Sequence, residues 1–305
     1  MKDLPDQLIN RYISMYGENG KVWLQNFSNL RDQIRQRWSL EDPDPVSFLS
    51  YNYLEYARDA TGRQVVLKIG YPHNELKTEI LALKYFNGKG AVKIIESDPE
   101  RGTLLLERIV PGYDLRSLQD DDEGIRIACQ VMTNLWKLPP KSSQFPTMDS
   151  WCQGFQRYQD HYSGTQGPLP KENVQKAGSI AEALLKDDYD RLLLHGDLHH
   201  MNILRGKNGS WLAIDPKGVI GEPAFEMAPL LFNPIEEMEE TAELDTILKR
   251  RINIVVHETG LDIDKILQWS YVRGMLSAIW DIEDGGNNWS FWIKMAQALA
   301  DIMDS

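Results

Sequence analysis

Cysteine is nearly missing from this chain: Cys129 and Cys152 are the only two in 305 residues, and no C-x-x-C pair is present. A disulfide scaffold and a thiolate zinc site are thereby excluded, and a reducing compartment is expected. Long apolar runs are missing too. No stretch approaches the roughly 18 apolar residues of a membrane span, and the opening MKDLPDQLIN lacks a signal peptide's apolar segment. These features predict a cytoplasmic protein with no membrane partner. Positive charge is in short supply, with 33 Lys and Arg against 45 Asp and Glu and a formal net charge of −12. Phosphate backbones attract basic faces, so nucleic acid is excluded as the main partner. The acidity serves either solubility or a cationic ligand. Internal repeats and low-complexity segments are also absent.

Hydrophobic residues make up 42% and charged residues 26%, ordinary values for a packed globular chain. The length suits two lobes or one large domain. Residues 4–38 carry Leu8, Tyr12, Met15, Val22, Trp23, Phe27, Leu30 and Ile34 at helical spacing, and SLEDPDPV, with Pro43 and Pro45, reads as the linker that ends this extension. From Phe48 to Val110 the texture changes to strand-like runs, FLSYNYLEYA, RQVVLKIG, AVKIIES and TLLLERIV. Between them HNELKTEILALKYFNGKG predicts a helix capped by Asn74 and ended at Gly88. Beyond Pro111 and Gly112 the pattern is mainly helical, interrupted by RLLLHGDL and by NILRGKNGSWLAID, a hairpin expected to turn at Asn208-Gly209.

The stretch LLLHGDLHHMNIL, residues 192–204, poses the functional question. Its histidines and Asp197 could be zinc or iron ligands, but His73, His161 and His257, the remaining histidines, are isolated in sequence. The alternative rests on Asp197-x-x-x-x-Asn202, followed beyond the hairpin by Asp215 in WLAIDPKG. One aspartate to accept a hydroxyl proton, with an asparagine and a second aspartate holding Mg²⁺, is what phosphoryl transfer to an alcohol requires. Upstream, VVLKIG supplies Lys68 on an apolar strand and the next helix supplies Glu79, with Glu75 one turn earlier in reserve. A lysine for the nucleotide phosphates and a carboxylate to orient it are expected in that order.

Together SYNYLEYA, VVLKIG, TEILALKYF, LLLERIVPG, LLLHGDLHHMNIL and AIDPKG resemble the aminoglycoside phosphotransferase family, in particular its streptomycin 6-kinase and hydroxyurea-resistance kinase branch. NGKVWLQNFSNLRDQIRQRW, GEPAFEMAPLLFNP and MLSAIWDIEDG are similar to that branch as well. The resemblance implies an α+β, two-lobed protein-kinase-like fold with a small β-rich N-lobe containing one helix, a larger helical C-lobe, and a helical N-terminal extension. It implies an extension over residues 1–46, a nucleotide-binding lobe over 47–110, and a catalytic and acceptor-binding lobe over 111–305. It further implies Asp197 as catalytic base, Asn202 and Asp215 as Mg²⁺ ligands, Lys68 on the ATP phosphates and Glu79 orienting Lys68. Glu107, Arg108 and Ile109 would meet adenine through their backbone. The usual glycine-rich phosphate loop is missing, since FLSYNYLEYARDATG has its only glycine at Gly62. Ser50 and Asn52 are expected to supply side-chain hydrogen bonds instead.

Gly196 stands where protein kinases carry an arginine that senses activation-loop phosphorylation, so an enzyme active without modification is expected. His195 is expected to pack against the loop backbone, whereas His199 and His200 could face phosphate or substrate. For a cationic small-molecule acceptor the family pattern points to Glu222, Glu226, Asp281, Glu283 and Asp284, with Trp280 against a sugar ring. The runs DDDE (120–123) and EEMEE (236–240) read as solvated charge. An aminoglycoside kinase is the first reading; a kinase of a metabolic alcohol and a nucleotide-binding pseudokinase are the alternatives.

Overall fold

The helical spacing from Leu8 to Ile34 folds as α1 (Asp6–Arg37), broken at Gly17, where φ is 54°. In the computed structural model, residues 4–46, 51–142, 144–187 and 190–304 are described. The chain divides into two units, residues 1–112 with 206–208 and residues 113–205 with 209–305. In the first unit β1 (Glu41–Pro45), β2 (Tyr53–Arg58), β3 (Gln64–Ile69), β4 (Ile94–Asp98) and β5 (Thr103–Glu107) form one antiparallel sheet of order β1-β2-β3-β5-β4. Alternation directs Tyr53 and Ala57 of β2 and Val65, Leu67 and Ile69 of β3 to one face, where Leu8, Tyr12, Leu24, Phe27 and Ile34 of α1 cover them. The extension is therefore part of the sheet's core. Glu55 lies on this apolar face, fully buried, and takes the Arg35 guanidinium together with the Tyr53 hydroxyl at 2.7 Å.

The stretch read as a linker is strand β1. Its five residues are exposed at the sheet's edge, where proline's missing N–H costs no ladder bond. Of FLSYNYLEYA, expected to be strand from Phe48, residues 48–50 lie outside the described residues, and Tyr53 to Ala57 fall in β2. After β3 comes α2 (Asn74–Phe86), whose cap is His73 rather than Asn74: the imidazole Nδ1 accepts the Leu76 N–H at 3.2 Å. Asn87, left-handed, closes the helix immediately before Gly88.

The second unit is mainly helical: α3 (Asp121–Leu135), α4 (Met148–His161), α5 (Lys171–Leu184), α6 (Met227–Phe232), α7 (Ile235–Glu240), α8 (Leu244–Thr259), α9 (Ile263–Glu283) and α10 (Trp289–Met303). Helix α9 is buried nearly all round and packs on α4, α5, α6 and α10. Two short antiparallel pairs interrupt the helices. β6 (Leu192–Leu194) pairs with β9 (Val219–Gly221), and β7 (Ile203–Arg205) with β8 (Trp211–Ala213). The β7–β8 connection contains Asn208 and Gly209, both at positive φ, as the sequence leads one to expect. Among the described residues no helix is long and apolar enough to cross a membrane.

Candidate active site

Strand β3 lies between β2 and β5, and its register sets Lys68 opposite Leu54 and Leu104. Since Leu67 and Ile69 face α1, alternation turns Lys68 to the other face of the sheet. There Glu79 of α2 meets it: Lys68 Nζ donates to Oε1 at 2.7 Å and Oε2 at 2.9 Å, with the lysine only 2% exposed. Glu75, the reserve partner, is exposed. Asn52 stands just before β2 against the end of β3: a Cβ on Gly70 would fall 2.1 Å from Asn52 Oδ1. Ser50 lies outside the described residues. At the other end of the sheet the Glu107 N–H donates to Lys93 O (2.9 Å) and the Arg108 N–H to Gln64 O (3.2 Å). Of the three N–H groups expected to face adenine, these two are engaged within the sheet. The Arg108 guanidinium lies 3.7 Å over the Tyr56 ring.

In the second unit the turn after β6 carries the other site residues. His195 is fully buried; its Nδ1 accepts the Asp197 N–H (3.2 Å) and its Nε2 faces Ile214 O (2.8 Å). One acceptor and one donor define a neutral imidazole, and burial pushes its pKa down to about 4. Asn202 Nδ2 donates to Asp197 O at 2.9 Å, and the Ile214 N–H to Asn202 O at 2.9 Å. Those bonds join the loop of Asp197 and Asn202 to the residue before Asp215, which sits at φ 56°. Burial alone would raise the Asp197 carboxyl, but the positive charges of Lys217 and Arg273 help hold the group below the usual carboxylate range. Asp197 is therefore an ionised acceptor.

The loop is braced from behind. Gly196 N–H donates to Glu226 Oε1 (2.8 Å), Trp136 Nε1 to Glu226 Oε2 (2.7 Å), and Arg273 Nη2 to Gly196 O (3.2 Å). The same Arg273 nitrogen is 3.9 Å from Asp197 Oδ1. Its guanidinium lies among the rings of Trp280 (4.4 Å), Trp151 (5.0 Å) and Phe225 (5.6 Å). Gly196 has φ 85°, and a Cβ would fall 3.0 Å from Val219 and 3.2 Å from Trp151. A side chain there is strained by the positive φ and crowded at its Cβ, which is a physical reason for the glycine.

Several expected substrate residues have other roles. Glu226 is 1% exposed and both oxygens are engaged by the loop and Trp136. Burial pushes its carboxyl up to about 7. Glu222 is likewise buried, binding Lys265 Nζ and Trp269 Nε1, each at 2.7 Å. His200 is buried beside α3, with Nε2 3.8 Å from Asp121 Oδ1. Trp280 is half-buried, edge-on to Trp151 at 5.4 Å. Asp281, also half-buried, packs its carboxylate against Gly286. The DDDE run is not merely solvated, because Asp121 binds the buried Arg251 at 2.7 and 2.9 Å. His199 remains beside the site, its Nδ1 3.3 Å from the Met201 N–H and its Nε2 3.2 Å from Asn202 Nδ2.

Known proteins match this arrangement over most of the chain. The aminoglycoside/hydroxyurea antibiotic resistance kinases match residues 37–285. A streptomycin 6-kinase of Streptomyces glaucescens is 27% identical over 283 residues, 93% of this chain and 92% of that one. A hydroxyurea phosphotransferase of Kitasatospora aureofaciens is 29% identical over 93% of this chain and 81% of its own length. Among solved structures, the choline kinase LicA of Streptococcus pneumoniae superposes with a TM-score of 0.64 at 18% identity, covering 90% of this chain and 99% of that one. The fold is thus protein-kinase-like and the protein a phosphotransferase. The chain belongs to the aminoglycoside/hydroxyurea antibiotic resistance kinase family.

Proposed function

We propose that the protein is a cytoplasmic, ATP- and Mg²⁺-dependent kinase that phosphorylates a hydroxyl of streptomycin or a related aminoglycoside. The observation that carries the reading is the Asn202 amide bound to the Asp197 carbonyl. With one N–H so fixed, Asn202 Oδ1 and the Asp215 carboxylate are the hard oxygen donors that suit magnesium. The Met201 N–H donates to His199 Nδ1 at 3.3 Å, so a neutral His199 carries its proton on Nε2, and it is the Asp197 carbonyl that orients the Asn202 amide. The histidines need supply no ligand, and His195, with both nitrogens engaged, is excluded as one. Bound Mg²⁺ supplies Lewis-acid stabilisation of the nucleotide phosphates.

Asp197 accepts the acceptor's hydroxyl proton as that oxygen bonds the γ-phosphorus and the bond from phosphorus to the bridging oxygen of ADP breaks. Residues 47–110 bind the nucleotide, with Lys68 on its phosphates, Glu79 holding Lys68, Asn52 beside the phosphates and the Ile109 N–H as the donor for adenine. Residues 111–305 carry the catalysis and the acceptor. Gly196, clamped by Glu226 through its backbone, replaces a phosphorylation-dependent arginine, so turnover needs no prior modification.

The similarity to a streptomycin 6-kinase supports the aminoglycoside acceptor. A second reading, favoured by the similarity to a hydroxyurea phosphotransferase, places the hydroxyl on hydroxyurea. Mass spectrometry of streptomycin, related aminoglycosides, hydroxyurea and sugar alcohols incubated with protein and Mg-ATP tests both. A gain of one phosphate on an aminoglycoside is the expected result. Phosphorylation of hydroxyurea alone would favour the second reading, and no phosphorylated product from any compound would refute the kinase assignment.

A further inference from the structure

Tyr53 pairs with Ile69 and Leu54 with Lys68, so the chain entering β2 and the chain leaving β3 lie side by side just beyond the lysine, at one end of the strand pair. Tyr51 and Tyr71 stand at those two positions. Tyr51 is 60% exposed, yet its main chain is held from α1: the Tyr12 hydroxyl donates to Tyr51 O at 3.0 Å. The same hydroxyl is hydrogen-bonded to the Tyr71 main chain. Arg11, one residue earlier, lies 4.5 Å over the Tyr51 ring, and Tyr16, one turn later, stacks on Tyr71 at 4.1 Å.

Tyr12 is suited to this duty. It is 3% exposed, and burial raises its pKa to about 12, so its hydroxyl keeps its proton and remains a donor. Its place depends on the break in α1. After Gly17 the helix returns so close that a Cβ on Gly20 would lie 2.3 Å from Tyr12 O. Both residues precede the segment matched by the family, which begins at residue 37.

We propose that Tyr12 of α1 is a positioning residue for nucleotide phosphates, its hydroxyl joining the main chains of Tyr51 and Tyr71 at the end of the β2–β3 pair next to Lys68. The inference rests on the kinase reading above. In a chain without a glycine-rich loop, the N-terminal helix supplies the rigidity that holds this end of the sheet over the phosphates. Asn52, adjacent to Tyr51 and packed on Gly70, is held by the same contact.

Calorimetric titration of the full chain with Mg-ATP and with adenosine tests the proposal. Tyr12→Phe removes the hydroxyl and keeps the ring; it should weaken Mg-ATP about fivefold, the size of one net hydrogen bond, and leave adenosine within about twofold of wild type. Arg11→Gln, a partly exposed change that the fold tolerates, should weaken Mg-ATP about twofold in the same selective way. Unchanged Mg-ATP affinity in both variants, or an equal loss for Mg-ATP and adenosine, would overturn the positioning role while leaving the kinase reading intact. Wild-type protein that binds neither compound would overturn the kinase reading and this inference with it.

Discussion

Replacing Glu79 by leucine should cost more stability than replacing Glu79 and Lys68 together. The ammonium and the carboxylate are 2% and 9% exposed and lie 2.7 Å apart. At an effective dielectric near 20, two charges at that separation attract by about 6 kcal/mol. Desolvating both ions offsets most of this, so the pair as a whole contributes little, whereas removing one partner takes this compensation from the other's buried charge at a cost of about 3–5 kcal/mol. Glu79→Leu and Lys68→Met should each lose about that much in urea unfolding followed by far-UV circular dichroism at unchanged m. The double variant should recover to within about 1–2 kcal/mol of wild type, yet bind no Mg-ATP, because the lysine assigned to the phosphates is gone. A double variant as unstable as the sum of the singles would refute the reasoning, since the charges would then not be coupled. A double variant that still binds Mg-ATP at wild-type affinity would refute the role of Lys68.

Asp197→Ala should lower kcat by about 10²–10⁴-fold with Mg-ATP affinity within about twofold, measured by product formation and calorimetry; retained turnover would remove Asp197 as the base. Asp215→Ala should instead weaken Mg-nucleotide binding, and unchanged affinity would refute its role as a metal ligand. His195 has a folded pKa near 4, below the unfolded 6.5. Its contribution to stability is therefore present above pH 6.5 and lost as pH falls towards 4, about 3 kcal/mol across the window. His195→Gln keeps one donor and one acceptor without a titrating ring, so its urea midpoint should fall less steeply over that range. Identical slopes for wild type and variant would show that His195 is not held neutral.

Local order in the sequence was enough to find the helix of the N-terminal extension, the Lys68 strand, the Glu79 helix and the hairpin at Asn208-Gly209. Each depends on periodicity or turn chemistry within a few residues. The spacing from Asp197 to Asn202 was legible for the same reason, since the turn that joins them is short. The buried partners of Glu222 and Glu226 were not legible because they are remote: Trp269 is 47 residues from Glu222, and Trp136 is 90 from Glu226. Nothing near a glutamate in sequence says that an indole N–H will meet it in the core. The same distance hid Asp121 behind its run of acids, since its partner Arg251 is 130 residues away. Arg273 escaped notice because a guanidinium amid three rings looks, in one dimension, like a lone basic residue on an apolar helix.

Strand β1 has a further consequence for the protein at high concentration. A five-stranded sheet leaves two borders, and an open border recruits strands from other molecules. On one border stand Glu41, Asp42, Pro43, Asp44 and Pro45, all exposed: two residues that cannot donate a ladder bond and three that repel an identical neighbour. Copies of this chain therefore cannot continue the sheet from one molecule to the next along that side. A segment that reads as a mere connector acts as a seal against intermolecular strand addition, and it does so without covering the edge.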